Sequence, residues 1–301
     1  MLPSFLIEYI YLLHEKPQAI IRFGIFAFCS QILIVVIALF FEKGLLWIFN
    51  GLLILAILRF LWLFFLVKKY GKVDWQFNAL SPYWHVAIPL IGYALIAGFP
   101  PVFDNWLVGY FFQDPQTFAI FRYGARELPL AIALANALSA AMVPEVTKNQ
   151  IVAFQILREK SLRLYHLLFP LSIVLMLTST FWFPKLFNND FAESAKIFNV
   201  FLLVIISRLV FPQTILIALK KTKIILGISI IELLLNIFLS ILFVQKFGLV
   251  GIAFGTVIAY WFEKIAISIY LHFKHKISFR EYTPVDWFIG YSILLLIAYF
   301  L

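Results

Sequence analysis

The chain has 301 residues, 63% of them hydrophobic and 13% charged, with a formal net charge of +9. Soluble domains carry about 25% charged residues, so this composition excludes a water-soluble globular protein. At ~20 apolar residues per bilayer crossing plus a short connection, the length accommodates about nine or ten membrane helices and leaves little for a soluble domain. Long unbroken apolar runs and 35 Phe suit lipid-facing helices, whereas a membrane β-barrel alternates over ~10-residue segments. The fold class expected is therefore all-α, a polytopic helical membrane protein. Its single cysteine, Cys29, allows no disulfide framework and no cysteine-based metal site. The first seventeen residues lack the basic leader and small-residue cleavage site of a signal peptide.

In chain order, apolar runs bounded by charges, Pro or Gly predict nine spans near 20–41, 45–67, 86–103, 117–142, 164–183, 195–219, 224–244, 249–271 and 285–301. The longest segment between them, 143–163, reads as an amphipathic connector. Fifteen Lys and Arg, among them Lys16, Arg22, Lys68, Lys69, Lys72, Lys220 and Lys274, fall on the N-terminal side of the bilayer, against only Lys43, Lys185, Lys196 and Lys246 opposite. The positive-inside rule then places the N-terminus in the cytoplasm. The basic excess is explained by topology, and no nucleic-acid partner is expected.

Five cations, Arg59, Arg122, Arg126, Arg208 and Lys264, remain inside predicted spans with Glu127, Glu232 and Glu263. Each would cost ~2.5–3.5 kcal/mol facing lipid, so each must face protein, water or a ligand. Arg122 and Arg126 stand one helical turn apart, and Pro129, Ala133 and Asn136 continue their stripe if the fourth span is one helix. Two neighbouring guanidinium groups need an anion or a carboxylate. They either line a cavity for a phosphate-like anion, for which Arg is suited, or pair with Glu127 and the headgroups. Arg208, before a Pro212 kink, is read either as a cavity cation or as a salt-bridge partner of Glu232 or Glu263; Arg59 has the same alternatives. Glu232 is expected to pair with the Glu263/Lys264 site at similar depth, and Gly251 and Gly255 form a GxxxG for close helix packing. His272 and His275 lie in a basic flank and read as solvated. No phosphate-binding glycine loop, sugar-nucleotide Asp pair or Ser/His/Asp set is visible, and no enzyme activity is expected.

Two segments carry a family likeness: PPVFDNWLVGYFFQDPQTFAIFRYGARELP (100–129) and FPQTILIALKKTKIILGISIIELLLNIFLSILFVQKFGLVGIAFGTVIAYW (211–261). They resemble the multidrug/oligosaccharidyl-lipid/polysaccharide exporter superfamily, and within it the bacterial O-antigen or capsule repeat-unit flippases, over roughly residues 85–270. The resemblance implies two six-helix lobes around a central cavity that opens alternately to either side. Residues 1–80 would be the last two helices of an N-terminal lobe, 81–275 a six-helix C-terminal lobe, and 276–301 an additional helix. Four helices would then precede Met1 in relatives, and a truncated gene product or mis-set start codon is the corresponding expectation.

The resemblance also implies site residues. In relatives the eighth helix contributes cavity cations that meet the substrate pyrophosphate, and Arg122 and Arg126 match that helix. Asn136, on their stripe, and the intramembrane Arg208 join them as substrate-binding candidates from the charge and polarity pattern. Asp104 at the end of a helix, Asn236, Ser240 and Thr256 match a cation site, with Ser240 where some relatives have a second carboxylate. No cofactor is implied beyond Na+ or H+ as coupling ion. The function expected is a flippase moving a polyprenyl-diphosphate-linked oligosaccharide across the bacterial cytoplasmic membrane for surface polysaccharide. Membrane lipids and other polysaccharide-assembly proteins are the partners implied. The alternatives are a cation-coupled multidrug antiporter of the same superfamily, which would favour acidic cavity residues, and a membrane-embedded polymerase or glycosyltransferase, which would need larger outer loops.

Overall fold

The computed structural model describes residues 6–14, 16–70 and 77–301. Lys72, counted among the cytoplasmic charges, lies outside them. Among the described residues there are helices and no strands, and the chain forms two compact units, 1–80 and 81–301.

In the first unit, α1 (Leu6–Leu13) precedes α2 (Pro17–Phe40) and α3 (Leu45–Tyr70). Pro17 opens α2, where its missing N–H costs nothing. Ile7 and Tyr11 of α1 pack on Leu63 and Leu66 of α3, and the Trp62 indole donates to the Tyr11 hydroxyl at 3.2 Å. Gly51 lets α3 approach α2 closely, since a Cβ there would lie 2.8 Å from Ile34.

The second unit is built largely from helices that break where the sequence pattern suggests straight rods. α4 (Phe77–Ala97) gives way at Gly98–Phe99 to α5 (Pro100–Phe112). The paired prolines sit in the first turn of α5, where they start a helix rather than end one. The expected span ending near 103 thus continues to Phe112, and Asp104 lies inside a helix instead of at its end. α6 (Pro115–Gly124) is capped by Asp114, whose carboxylate accepts from the Thr117 hydroxyl at 2.6 Å and the Thr117 amide at 2.7 Å. The Thr117 hydroxyl and amide hold the Asp114 carboxyl below the usual range. α7 (Pro129–Lys148) follows after a non-helical stretch at 125–128. Asn149 alone separates α7 from α8 (Gln150–Leu186), capping α8 through its side chain. The predicted connector at 143–163 is therefore helix throughout except at that cap.

The predicted 195–219 span divides into α9 (Ala192–Leu202), α10 (Val204–Arg208) and α11 (Pro212–Ala218), with a 43° bend at the second break. Broken helices free carbonyls that lipid cannot satisfy. Here the Trp261 indole donates to the Leu203 carbonyl and the Tyr165 hydroxyl to that of Leu209, both at 3.2 Å.

α12 (Thr222–His275) has 54 residues, ~80 Å if straight and more than twice the hydrocarbon thickness. It leaves helical geometry at Gly248 (φ 59°, ψ −138°), a conformation for which glycine is suited. The two arms, 222–247 and 249–275, double back. A Cβ on Gly251 would lie 2.2 Å from the Phe243 carbonyl oxygen, and one on Gly255 2.6 Å from the Ser240 hydroxyl. The GxxxG reading holds, and the surface those glycines meet is the preceding arm. α13 (Phe279–Tyr282) and α14 (Val285–Phe300) close the unit, α14 stacking Tyr291 on Phe169 of α8 at 5.4 Å.

Among the described residues six helices are long and apolar enough to cross a bilayer, or seven if the bent pair forms one span. With α12 contributing two arms and α14 shorter, each predicted span recurs as helix, and nine is an approximate count. Gly255→Val drives two methyl groups into Ser240 and is expected to destabilise the fold by about 1–3 kcal/mol. Gly227→Ala, where nothing lies within 4 Å, is expected to leave the thermal midpoint in detergent unchanged; the two midpoints check the hairpin.

Candidate functional site

Asp104 on α5 and the two arms of α12 converge in the interior of the second unit. Asp104, Asn236, Ser240 and Thr256 are all at most 2% exposed. The Thr256 hydroxyl donates to Asp104 Oδ2 at 2.6 Å and accepts from Asn236 Nδ2 at 2.9 Å. The Ser240 hydroxyl, against Gly255 of the facing arm, donates to the Ile252 carbonyl at 3.4 Å. All four residues that the resemblance assigned to a cation site are thus brought together, held by the Gly251/Gly255 approach of the α12 arms.

Two oxygens of this cluster, Asp104 Oδ1 and Asn236 Oδ1, are buried without a hydrogen-bond partner. Unsatisfied buried acceptors each cost ~1–3 kcal/mol, and these two lie beside two hydroxyls. An all-oxygen set with one carboxylate suits a hard cation. Sequence alone could place these residues on three helices but not bring them to one point, because their contact depends on the turn at Gly248.

A cavity of about 680 Å³ is lined by Asp104 and Thr256 on one hand and by Arg122 and Arg126 on the other, with Glu127 and Tyr260. Arg122 lies in the last turn of α6, Arg126 in the 125–128 break, and both are exposed. Arg126 Nε donates to the Arg122 carbonyl at 3.2 Å. The expected stripe Arg122–Arg126–Pro129–Ala133–Asn136 therefore does not run along one helix. α6 ends at Gly124, where it meets α9 so closely that a Cβ would lie 2.6 Å from the Ser194 carbonyl oxygen. Pro129 then restarts the helix with its own phase. Asn136 is exposed on α7 and is not among the residues lining this cavity.

Glu127 does not pair with the arginines beside it. Its carboxylate receives two nitrogens of Arg208, Nε at 2.9 Å and a terminal nitrogen at 2.6 Å, across 81 residues of chain. Arg208 is thereby committed to Glu127, a partner that the reading of the residues did not weigh for it, and not to Glu232 or Glu263. Lys264 pairs with its neighbour Glu263 at 3.4 Å and also binds Gln213. Gln213 in turn donates to Glu263 at 2.7 Å and to the Tyr93 hydroxyl at 3.1 Å. Glu232, 2% exposed, shares a small cavity of about 70 Å³ with Glu263 and Lys264. It forms no salt bridge within 4.0 Å among the described residues, so the expected Glu232 pair is replaced by the Glu263–Lys264–Gln213 cluster.

A family model described as the lipid II flippase MurJ matches residues 17–300. The chain belongs to this family. It is a multi-pass membrane protein of the exporter superfamily that the sequence resembles, and the family is one of transporters rather than enzymes. Among solved structures, a lipid II flippase MurJ in an inward closed conformation aligns with a TM-score of 0.60 and 20% identity, covering 91% of this chain and 58% of that one. An outward-facing multidrug resistance MATE transporter of the same superfamily aligns with a TM-score of 0.52 at 16% identity, covering 72% and 51%. A superfamily transporter from Pyrococcus furiosus, described as having a binding pocket of reverse polarity, gives 0.51 at 16%, with the same coverage. At these identities the likeness to solved structures is one of fold. The chain spans about half the length of these solved relatives. No curated protein sequence matches it.

Thr256 joins the two halves of the cluster, so Thr256→Val strands Asp104 Oδ2 and Asn236 Nδ2 at once. This variant is expected to lower stability by about 2–4 kcal/mol, from two unsatisfied buried groups, whereas Thr256→Ser retains most of it. Thermal unfolding of the purified chain in detergent distinguishes the two.

Proposed function

We propose that this chain supplies the polar wall of a flippase for a polyprenyl-diphosphate-linked saccharide in the bacterial cytoplasmic membrane. The observation that carries the reading is the shared cavity. Two exposed arginines, whose nearest carboxylate is already engaged by Arg208, face the same space as a buried oxygen cluster. Arg122 and Arg126 receive the diphosphate through charge-assisted, bidentate contacts. The family match favours lipid II as the saccharide carrier over an O-antigen or capsule repeat unit. By charge distribution the N-terminus faces the cytoplasm, and the basic segments on that side attract the anionic lipid from the inner leaflet.

Asp104, Thr256, Asn236 and Ser240 would hold a coupling cation, Na+ in this reading. When bound, the cation supplies positive charge at Asp104, the one cavity-lining carboxylate without a cationic partner among the described residues. The arginines then attract the diphosphate without opposition from within the cavity, which links cation and substrate electrostatically. Alternating access would let the same site load on one face and release on the other. A drug antiporter fits less well, since the cavity presents two arginines to its ligand.

Binding of polyprenyl diphosphate to the purified chain, followed by native mass spectrometry, tests the reading. Losing one charge-assisted contact, worth ~1.5–3 kcal/mol, predicts that Arg126→Ala weakens binding about 10- to 100-fold. Arg122→Ala should act similarly, and Asn136→Ala should have little effect. Unchanged affinity in both arginine variants would refute the assignment.

A further inference from the structure

The first unit holds a second, separate concentration of positive charge. A cavity of about 970 Å³ between facing stripes of α2 and α3 is lined by Lys16, Arg22 and Arg59, with Tyr11, Phe23 and Trp62 among its other walls. Among the described residues that line it there is no Asp or Glu.

Arg59 is the most constrained of the three cations. It lies eleven residues from the Tyr70 end of α3, ~16 Å along the helix, and is 8% exposed. One terminal nitrogen donates to the Ala27 carbonyl at 2.6 Å, while Nε is buried without a partner. It forms no salt bridge within 4.0 Å among the described residues. A snorkelling arginine would reach an exposed position near a helix end; this one is enclosed at depth. Lys16 immediately precedes α2, Arg22 lies six residues on, and Ala27, the acceptor of Arg59, five further. The three cations are therefore spread over ~16 Å of the cavity's length, Lys16 and Arg22 from the α2 side and Arg59 from α3.

The Lys16 ammonium donates to the neutral Tyr70 hydroxyl at 2.8 Å and lies over its ring. None of the three cations, however, has an anionic partner among the described residues. Cations beside apolar walls call for a ligand that is both anionic and apolar. A soluble phosphate would leave Phe23, Leu58 and Trp62 facing empty space, and a neutral lipid would leave the cations unpaired. We propose that this cavity is a binding site for an anionic phospholipid of the bilayer, its phosphate among Lys16, Arg22 and Arg59 and an acyl chain along the α2–α3 walls. Basic pockets between membrane helices recognise anionic headgroups through the same combination of charge and apolar enclosure.

The test compares lipid classes on the intact chain. Purified protein is titrated with phosphatidylglycerol or phosphatidylethanolamine and bound lipid is counted by native mass spectrometry, with inorganic phosphate and polyprenyl diphosphate as competitors. Phosphatidylglycerol is expected to bind at least tenfold more tightly than phosphatidylethanolamine. The Arg22→Gln/Arg59→Gln double variant, which keeps the donors and removes the charge, is expected to abolish that preference. Independently of any variant, phosphatidylglycerol nanodiscs should raise the wild-type thermal midpoint above that in phosphatidylethanolamine. Equal binding of the two lipids, or displacement of phosphatidylglycerol by phosphate or polyprenyl diphosphate at equal concentration, would overturn the proposal.

Discussion

The bidentate pair between Glu127 and Arg208 is the constraint on which the interior of the second unit depends. It joins the non-helical stretch after α6 to α10, itself a short helix between two breaks, and each member sits where an unpaired charge would be costly. Its consequence for charge reaches beyond the pair. Glu127 is the residue next to Arg126, and if its carboxylate turned toward Arg122 and Arg126 the cavity would lose much of its attraction for an anion. Because Arg208 holds it, Glu127 does not oppose the arginines. One ion pair thus fixes the course of a broken helix and the sign of the space beside it.

Helix breaks in a membrane need replacement partners for the backbone they expose, and this unit provides them at each place described. Trp261 and Tyr165 take the carbonyls freed around α10, Asn149 caps α8, and Asp114 caps α6. Small residues play the complementary part. Apolar side chains gain little from meeting one another inside lipid, so close backbone approach supplies the packing. Gly124 admits the carbonyl of Ser194, and Gly251 and Gly255 admit the preceding arm of α12. The oxygen cluster at Asp104 exists because those two glycines bring Ser240 and Asn236 against Thr256.

Much of this was legible in the sequence. Apolar run length and charge placement located the helical segments, GxxxG marked a close approach, and the residues of the oxygen cluster were identified through a family resemblance. What periodicity could not convey was interruption. A stripe drawn at 100° per residue assumes an unbroken helix, and it failed at 125–128, where Gly124 meets α9 and Pro129 restarts the helix. The same limit hid the partner of Arg208, because depth counting offered Glu232 and Glu263 while the real partner sits in that break. Asp104, which a span ending near 103 and the family resemblance both put at a helix end, lies inside α5, because Pro100 and Pro101 form the first turn of that helix. The signal that would have found the break was present, a Gly followed five residues later by Pro within a polar stretch.

The central claim, that Arg208 acts by holding Glu127 away from the arginine pair, separates cleanly from direct ligand contact by a double-mutant cycle. Affinity for polyprenyl diphosphate would be measured for Arg208→Gln, Glu127→Gln and the combined variant, using protein that retains its thermal unfolding transition. The account predicts that Arg208→Gln alone weakens binding several-fold, since Glu127 is released toward Arg122 and Arg126, and that adding Glu127→Gln restores it. If the combined variant binds as weakly as Arg208→Gln, Arg208 contacts the ligand itself and the account is contradicted.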